Sequence, residues 1–254
     1  MGGATVLLVH GAWGRMGREV LSLVRQTDDV TLGGVLELRD VQPVSGPVGA
    51  EDATILGQVP QNEGRATVVV DFSHPQGLAR LIAAMAGSGV PLVSGTTGIG
   101  AKERALLKGY SKETAVLYDE NMSYGVSAVR ALVEAAVPLL GDYDVEIVET
   151  HHADKQDHPS GTALALSRLI SPEAKPISGR GDGRRGPVHI HSLRLGGIPG
   201  EHHVLFANHE EVVTLSHRAI SRQVFARGAI RAARFISSKE RGLFRMEDIL
   251  GDTS

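Results

Sequence analysis

Residues 149–163 read ETHHADKQDHPSGTA, with adjacent histidines at His151 and His152, a lysine at Lys155, and the run Pro159, Ser160, Gly161, Thr162. Imidazole gives or takes a proton near neutral pH, and an ammonium four residues on adds positive charge beside it. The Pro-Ser-Gly-Thr run opens a helix, and the free N–H groups of a helix start hold a carboxylate. Together these groups describe a pocket for a small carboxylated substrate that is protonated while it receives a hydride. Nine of the eleven histidines fall between His151 and His217, the other two being His10 and His74. That density raises zinc as an alternative. The spacing of His151, His152 and His158 matches no two-ligand helical motif, however, and Pro159 stops a regular helix through it, so no metal is expected.

A hydride needs a donor, and the segment VLLVHGAWGRMGREV provides a place for one. Gly11, Gly14 and Gly17 stand between an apolar strand and an amphipathic helix, with the spacing G-x-x-G-x-x-G. Such a loop gives a tight turn, lets a pyrophosphate approach backbone N–H groups, and sets it over a positive helix start. Glu37 ends the second strand 20 residues after Gly17, where an acidic side chain accepts from an adenosine ribose hydroxyl. Glu37 repels a 2′-phosphate, whereas Arg39 attracts one and Arg15 lies within reach of a phosphate. The balance favours NADH with NADPH tolerated. Trp13, inside the loop, is expected to pack on or shield the dinucleotide. Two later loops, DFSHP at 71–75 and SGTTG at 94–98, also follow strand C-termini, where open parallel sheets bind ligands. Gly95, Thr96 and Thr97 are therefore expected to touch the cofactor.

The elements that must position these groups follow from pattern and composition. Short β-branched runs alternate with helical patterns through the first half: a strand near 4–9, a helix near 14–25, strands at 30–37 and 67–72, a helix at 75–86, and strands at PLVSG and AVLY flanking a helix near 101–110. That alternation predicts a parallel sheet. The second half predicts a helix near 123–140, a strand at 143–150, a helix including 164–170, and a flexible loop SPEAKPISGRGDGRRGP. Three strands follow, at 189–195, 202–207 and 211–217, spaced like an antiparallel meander, and a last helix at 221–236 precedes a short tail. The expected fold class is α/β: a Rossmann-like parallel-sheet dinucleotide-binding domain plus a second α+β domain with a mixed or antiparallel sheet. Residues 1–122 with 221–254 are assigned to the first domain and 123–220 to the second, substrate-binding and oligomerisation domain.

Bulk composition narrows the partners. A net charge of −3 over 254 residues gives no bias toward nucleic acid. No run approaches a membrane span, and MGGATVLLVHG lacks a basic region ahead of its apolar stretch, so no membrane partner is expected. The absence of cysteine excludes disulfides and thiolate ligands and fits a cytoplasmic protein. Arg218 and Arg222 in HRAISR are expected to serve as structural ion-pair or capping residues.

VHGAWGRMGREV, VVDFSHP, SGTTG, NMSYGV and VEIVETHHADKQDHPSGTA, with RLGGIPGEHHVLF and GLFRMEDIL, resemble over nearly the full length the 4-hydroxy-tetrahydrodipicolinate reductase family, long called dihydrodipicolinate reductase. The resemblance implies that His151 is the proton donor and acceptor. It makes Lys155 a second proton donor that also polarises the ring. It implies that His152, Gly161 and Thr162, beside Ser160, bind substrate carboxylates. Gly11, Ala12, Trp13, Gly14, Arg15, Met16, Glu37, Gly95, Thr96, Thr97, Asp119, Glu120, Asn121 and Met122 would line NADH or NADPH. The implied reaction is hydride transfer to C4 of the substrate, with loss of the 4-hydroxyl as water, in diaminopimelate and lysine biosynthesis. A homotetramer joined through the second-domain sheets is implied as well. The chain departs from the family at Asp119-Glu120-Asn121, where many relatives carry Ala-Pro-Asn, and at His158, an extra imidazole beside the substrate segment. These departures leave open a nicotinamide-dependent oxidoreductase acting on another small dicarboxylate. A cofactor-binding sensor without catalysis is the third reading.

Overall fold

A computed structural model of the chain describes residues 4–36, 55–60, 67–172, 177–178 and 188–251. The chain divides into two compact units, Met1–Ser123 with Gln223–Ser254, and Tyr124–Arg222.

The first unit opens with β1 (Thr5–His10), α1 (Arg15–Val24), β2 (Val30–Leu36) and a two-residue β3 (Ile55–Leu56). It continues with β4 (Thr67–Asp71), α2 (Pro75–Met85), β5 (Leu92–Ser94), α3 (Ala101–Tyr110) and β6 (Ala115–Tyr118). In β1 and β4 the buried residues run without alternation, Leu7 to Val9 and Val68 to Val70, because helices cover both faces of a parallel sheet. Each helix start has its own cap. Gly14 precedes α1, and His74 Nδ1 accepts from Gly77 N at 2.8 Å ahead of Pro75 in α2. Glu103 reaches back to Gly100 N at 2.9 Å ahead of α3.

The second unit contains α4 (Tyr124–Ala136), β7 (Asp144–His151), α5 (Gly161–Ile170), β8 (Ile177–Ser178), β9 (His189–Arg194), β10 (Glu201–Ala207) and β11 (Val212–Arg218). Its sheet has the order β11-β10-β7-β9-β8. The three later strands do not form the expected meander. β10 pairs antiparallel with β11 and with β7, whereas β9 pairs parallel with the far side of β7. The central strand has two edges to satisfy, and β9 and β10 take one each. Spacing along the sequence cannot separate adjacent strands from strands that flank a third. The loop predicted at 171–187 also contributes β8, parallel to β9. One face of this sheet carries Ile147, Ile190, Val204 and Phe206 against Val133, Ala163 and Leu166 of α4 and α5.

The chain then returns to the first unit through α6 (Gln223–Ser237), which packs on α1 and on β1, β4, β5 and β6. The tail adds β12 (Gly242–Phe244), parallel to β6, an edge strand the sequence reading did not anticipate. The first sheet is therefore parallel throughout, in the order β12-β6-β5-β4-β1-β2-β3. Strand order reverses between β1 and β4, which places the loops after those two strands at the crevice such sheets use for ligands.

α6 seats closely because position 228 is glycine: a Cβ there would stand 1.6 Å from Met122 O. Gly228→Ala is expected to lower unfolding free energy by about 3 kcal/mol or more, since a backbone oxygen rather than a side chain must move. Urea denaturation with an unchanged midpoint would contradict this packing.

Candidate active site

In the first unit, strand register sets His10 opposite Asp71 and Asp71 opposite Ser94. Asp71 is fully buried and satisfied from both sides. His10 Nδ1 lies 2.7 Å from Oδ1, and Ser94 Oγ and Thr96 Oγ1 donate to Oδ2 at 2.8 and 2.7 Å. Burial pushes this carboxyl up, but the hydrogen bond and charge of His10, with hydrogen bonds from Ser73 and Thr96, hold it below the usual carboxylate range. Asp71 is thus ionised at neutral pH. Thr96 Oγ1 also accepts from Ser73 N at 3.1 Å, so one carboxylate joins the loops after β1, β4 and β5.

The glycine loop closes tightly on this base. Gly11 has φ +76°, and a Cβ there would stand 2.5 Å from Phe72 O; at Gly17 it would stand 2.3 Å from Gly11 O. Only glycine lets strand, loop and helix approach this closely. Gly14 caps α1 without a side-chain hydrogen bond, leaving the first N–H groups of the helix for an anion. Beside them is a cavity of about 270 Å³, lined by Gly11, Ala12, Trp13 and Gly14 with Leu36, Phe72, His74 and Arg80. These features fit a dinucleotide.

Among the described residues, the other expected cofactor contacts do not line that cavity. Arg15 is exposed and Met16 half-buried. Gly95 makes room for the Phe72 ring, Thr96 belongs to the Asp71 network, and Thr97 is exposed. Asp119 accepts from Asn121 N at 3.0 Å, Asn121 Oδ1 accepts from Ser123 N at 2.9 Å, and Met122 is buried. Glu120 pairs with Arg104 at 2.8 Å. Glu37 and Arg39 lie outside the described residues.

In the second unit, the apolar face of the sheet turns polar at the C-terminal end of β7. Alternation puts Glu149 and His151 on the same side as Ile147. Register adds His202 of β10 opposite Glu149, and Arg194 of β9 opposite His151. Glu149 has no solvent exposure. Its Oε2 meets His151 Nδ1 in a short hydrogen bond, and its Oε1 accepts from Arg194 Nη2 at 2.8 Å. Burial raises this carboxyl, but the hydrogen bonds from His151 and Arg194 and the charge of His151 bring it down to about 2. An ionised carboxylate only accepts, so the hydrogen on Nδ1 belongs to His151, and Nε2 is the pole left to exchange protons.

The same Arg194 Nη2 donates to Asp157 O at 2.6 Å, and Asp157 Oδ1 pairs with Lys155 Nζ at 2.8 Å. Arg194 thus joins the histidine's carboxylate to the loop that carries Lys155. Ser160 caps α5, its Oγ accepting from Ala163 N at 3.2 Å and lying 3.3 Å from His202 Nε2. Burial, followed by the charge of His151, drives His202 down to about 3, so it is neutral at working pH. Its ring stands edge-on to His151, with centroids 5.1 Å apart. Gly161 and Thr162 form the first turn of α5, Thr162 is nearly buried, and His152 is half-buried. His158 is exposed, its Nδ1 donating to Gln156 O at 3.1 Å.

Other histidines form pairs along the sheet: His191 with Glu146 at 2.7 Å and His203 with Glu201 at 2.9 Å. Arg218 also meets Glu201, at 3.6 Å, a structural ion pair. Glu149, His151 and His202 bring ligand-type atoms within 4.8 Å of one another. This trio comes together only through the pairing of β7 with β10, so spacing within residues 151–158 does not show it. Arg194 pairs with Glu149 Oε1, so the charge of that carboxylate is already compensated within the protein.

A glycine-loop parallel sheet joined to a mixed-sheet unit bearing an acid–base cluster defines the class, an NAD(P)-dependent oxidoreductase fold. Among solved structures, the dipicolinate-bound dihydrodipicolinate reductase from Paenisporosarcina sp. TG-14 superposes with a TM-score of 0.71 at 21% identity, over 97% of this chain and 99% of that one. Family models described as dihydrodipicolinate reductase, N-terminus and C-terminus, match residues 5–122 and 125–250. The chain belongs to the dihydrodipicolinate reductase family. It is 40% identical to the 4-hydroxy-tetrahydrodipicolinate reductase of Xanthomonas euvesicatoria pv. vesicatoria, over 97% of this chain and 98% of the relative. The Nitrosomonas eutropha enzyme of the same name is 36% identical over 96% and 97%. No helix among the described residues is long and apolar enough to cross a membrane.

Sequence reasoning missed Glu149, Arg194, His202 and the His10–Asp71 pair. Glu149 was within reach, because strand alternation sets it beside His151. Both buried carboxylates titrate below their ordinary values, 3.8 for Asp71 and 4.5 for Glu149. The stability they contribute is complete above about pH 5 and is lost as pH falls toward about 2. Denaturant titrations at decreasing pH are expected to register that loss; constant stability down to about pH 3 would contradict the two ionised carboxylates.

Proposed function

We propose that the chain reduces 4-hydroxy-tetrahydrodipicolinate to tetrahydrodipicolinate, using NADH or NADPH, in diaminopimelate and lysine biosynthesis. The observation that carries this reading is His151, held through Nδ1 by an ionised Glu149, in the same cluster as the Lys155 loop and the start of α5. The reaction takes up one hydride at C4 and one proton, and releases the 4-hydroxyl as water. When bound, the dinucleotide supplies the hydride; Gly11, Ala12, Trp13 and Gly14, with the start of α1, would hold it.

The chain's own residues manage the rest. A substrate carboxylate is received by the N–H groups opening α5 at Gly161 and Thr162, with Ser160 and His152 beside them. His151 Nε2 exchanges the proton, while Nδ1 stays bonded to Glu149. Lys155 supplies a second acidic group and positive charge for a dianion. His202 stays neutral and so adds no competing cation. The Paenisporosarcina sp. TG-14 reductase is dipicolinate-bound, which also supports a pyridine-type dicarboxylate as the ligand class.

Asp119, Glu120 and His158 were the reasons to consider a different dicarboxylate. Glu120 is engaged by Arg104, Asp119 caps the Asn121 N–H, and His158 is exposed with its ring on a backbone carbonyl. None of the three supports that second reading. A homotetramer is part of the proposal, supported by the exposed apolar residues Leu193 and Val212 on strands of the second sheet.

An assay with substrate generated by an upstream synthase, run with NADH and NADPH in turn, is expected to register turnover with either cofactor and loss of the 4-hydroxyl. His151→Gln and Lys155→Ala should each lower turnover by at least about 10²-fold while cofactor affinity stays near that of the unaltered protein. Near-normal rates in either variant would contradict the assigned roles.

A further inference from the structure

Proton transfer at His151 depends on which nitrogen faces the substrate and on how readily the ring holds a positive charge. Both are set by what surrounds the ring. On its own strand stands Glu149, fully buried and bonded to Nδ1. From β9 comes Arg194, from β10 the edge-on ring of His202, and from the following loop Lys155 and Asp157. Ser160 at the start of α5 contributes an uncharged hydroxyl next to His202. Of these, Glu149 alone is an anion in contact with the ring. Asp157 is spent on Lys155, and its carbonyl on Arg194.

Glu149 itself has no freedom. Its second oxygen is taken by Arg194, whose Nη1 donates to Leu193 O at 2.8 Å and whose Nη2 also holds Asp157 O. A buried carboxylate fixed at both oxygens fixes the imidazole in turn. The arrangement matches the orienting acid of a nucleophile–histidine–carboxylate triad, where the acid sets tautomer and orientation without exchanging the proton itself.

We propose that Glu149 is a positioning residue for proton transfer: clamped by Arg194, it holds His151 with Nδ1 protonated and Nε2 toward the substrate, and its charge supports the imidazolium. Arg194 carries the constraint on to the Lys155 loop, so that one guanidinium registers both proton-bearing groups. The inference rests on the reductase reading above for its kinetic consequence, but the state of the ring is observable without turnover.

Two measurements test it. In the cofactor-free protein, ¹⁵N-histidine NMR is expected to place neutral His151 in the Nδ1–H form, with a far-downfield ring proton from the carboxylate hydrogen bond. A neutral His151 carrying its hydrogen on Nε2 would overturn the proposal, and this readout needs no variant that folds. Glu149→Gln, which keeps a hydrogen-bond acceptor and removes the charge, is expected to lower kcat at least about ten-fold. It should move the pH–rate limb to lower pH by about one unit, with NADH affinity within about two-fold of the unaltered protein. Glu149→Asp, which retains the charge, should leave that limb in place. A Glu149→Gln protein with unaltered kcat and pH profile would refute the role, since a purely structural loss would not move the limb. If the unaltered protein fails to reduce the substrate, the reductase reading fails, while the NMR result still decides the state of His151.

Discussion

A carboxylate sealed from water at the end of an apolar sheet face is the constraint on which the second unit depends. An ionised Glu149 with no exposure is tolerable only if its charge is met and its lone pairs are filled within the protein. Arg194 meets the charge and His151 fills the second oxygen. Much follows from that one requirement. The ring of His151 is fixed, the strand order β10-β7-β9 is needed to bring its partners together, and the Lys155 loop is pinned through Asp157. Removing Arg194 would leave a buried charge uncompensated, and removing His151 would leave one of its oxygens without a donor.

The first unit uses the same construction with different residues. Apolar strands end in a polar row, His10–Asp71–Ser94, lying across three neighbouring strands. A buried carboxylate again gathers hydrogen bonds from the loops that must be held still. In both units the core supplies the position and a single ionised acid supplies the rigidity. The glycines at 11 and 17 then allow the backbone approach that no side chain could accommodate.

What the sequence made legible was local. The glycine loop is recognisable from spacing along the chain, and so is the capped start of α5 at Ser160, because strand, turn and helix there are consecutive. Arg194 and His202 were not legible, since they reach His151 only through the register of β9 and β10 on either side of β7. The spacing of those strands pointed instead to a meander. The His10–Asp71 pair was hidden for the same reason, being 61 residues apart in sequence and adjacent only once β1 and β4 pair. β12 was missed because three residues in a tail carry no periodicity. The residues of the site that depend on non-local pairing are therefore the ones that sequence patterns leave out.

The second unit is proposed to bind a small dicarboxylate between the opening turn of α5 and the His151–Lys155 pair. A crystal structure of the protein soaked with pyridine-2,6-dicarboxylate tests it most directly. One carboxylate is expected on the N–H groups of Gly161 and Thr162, with His151 Nε2 and Lys155 Nζ directed at the ligand. A ligand bound elsewhere, with both side chains turned away from it, would rule this site out.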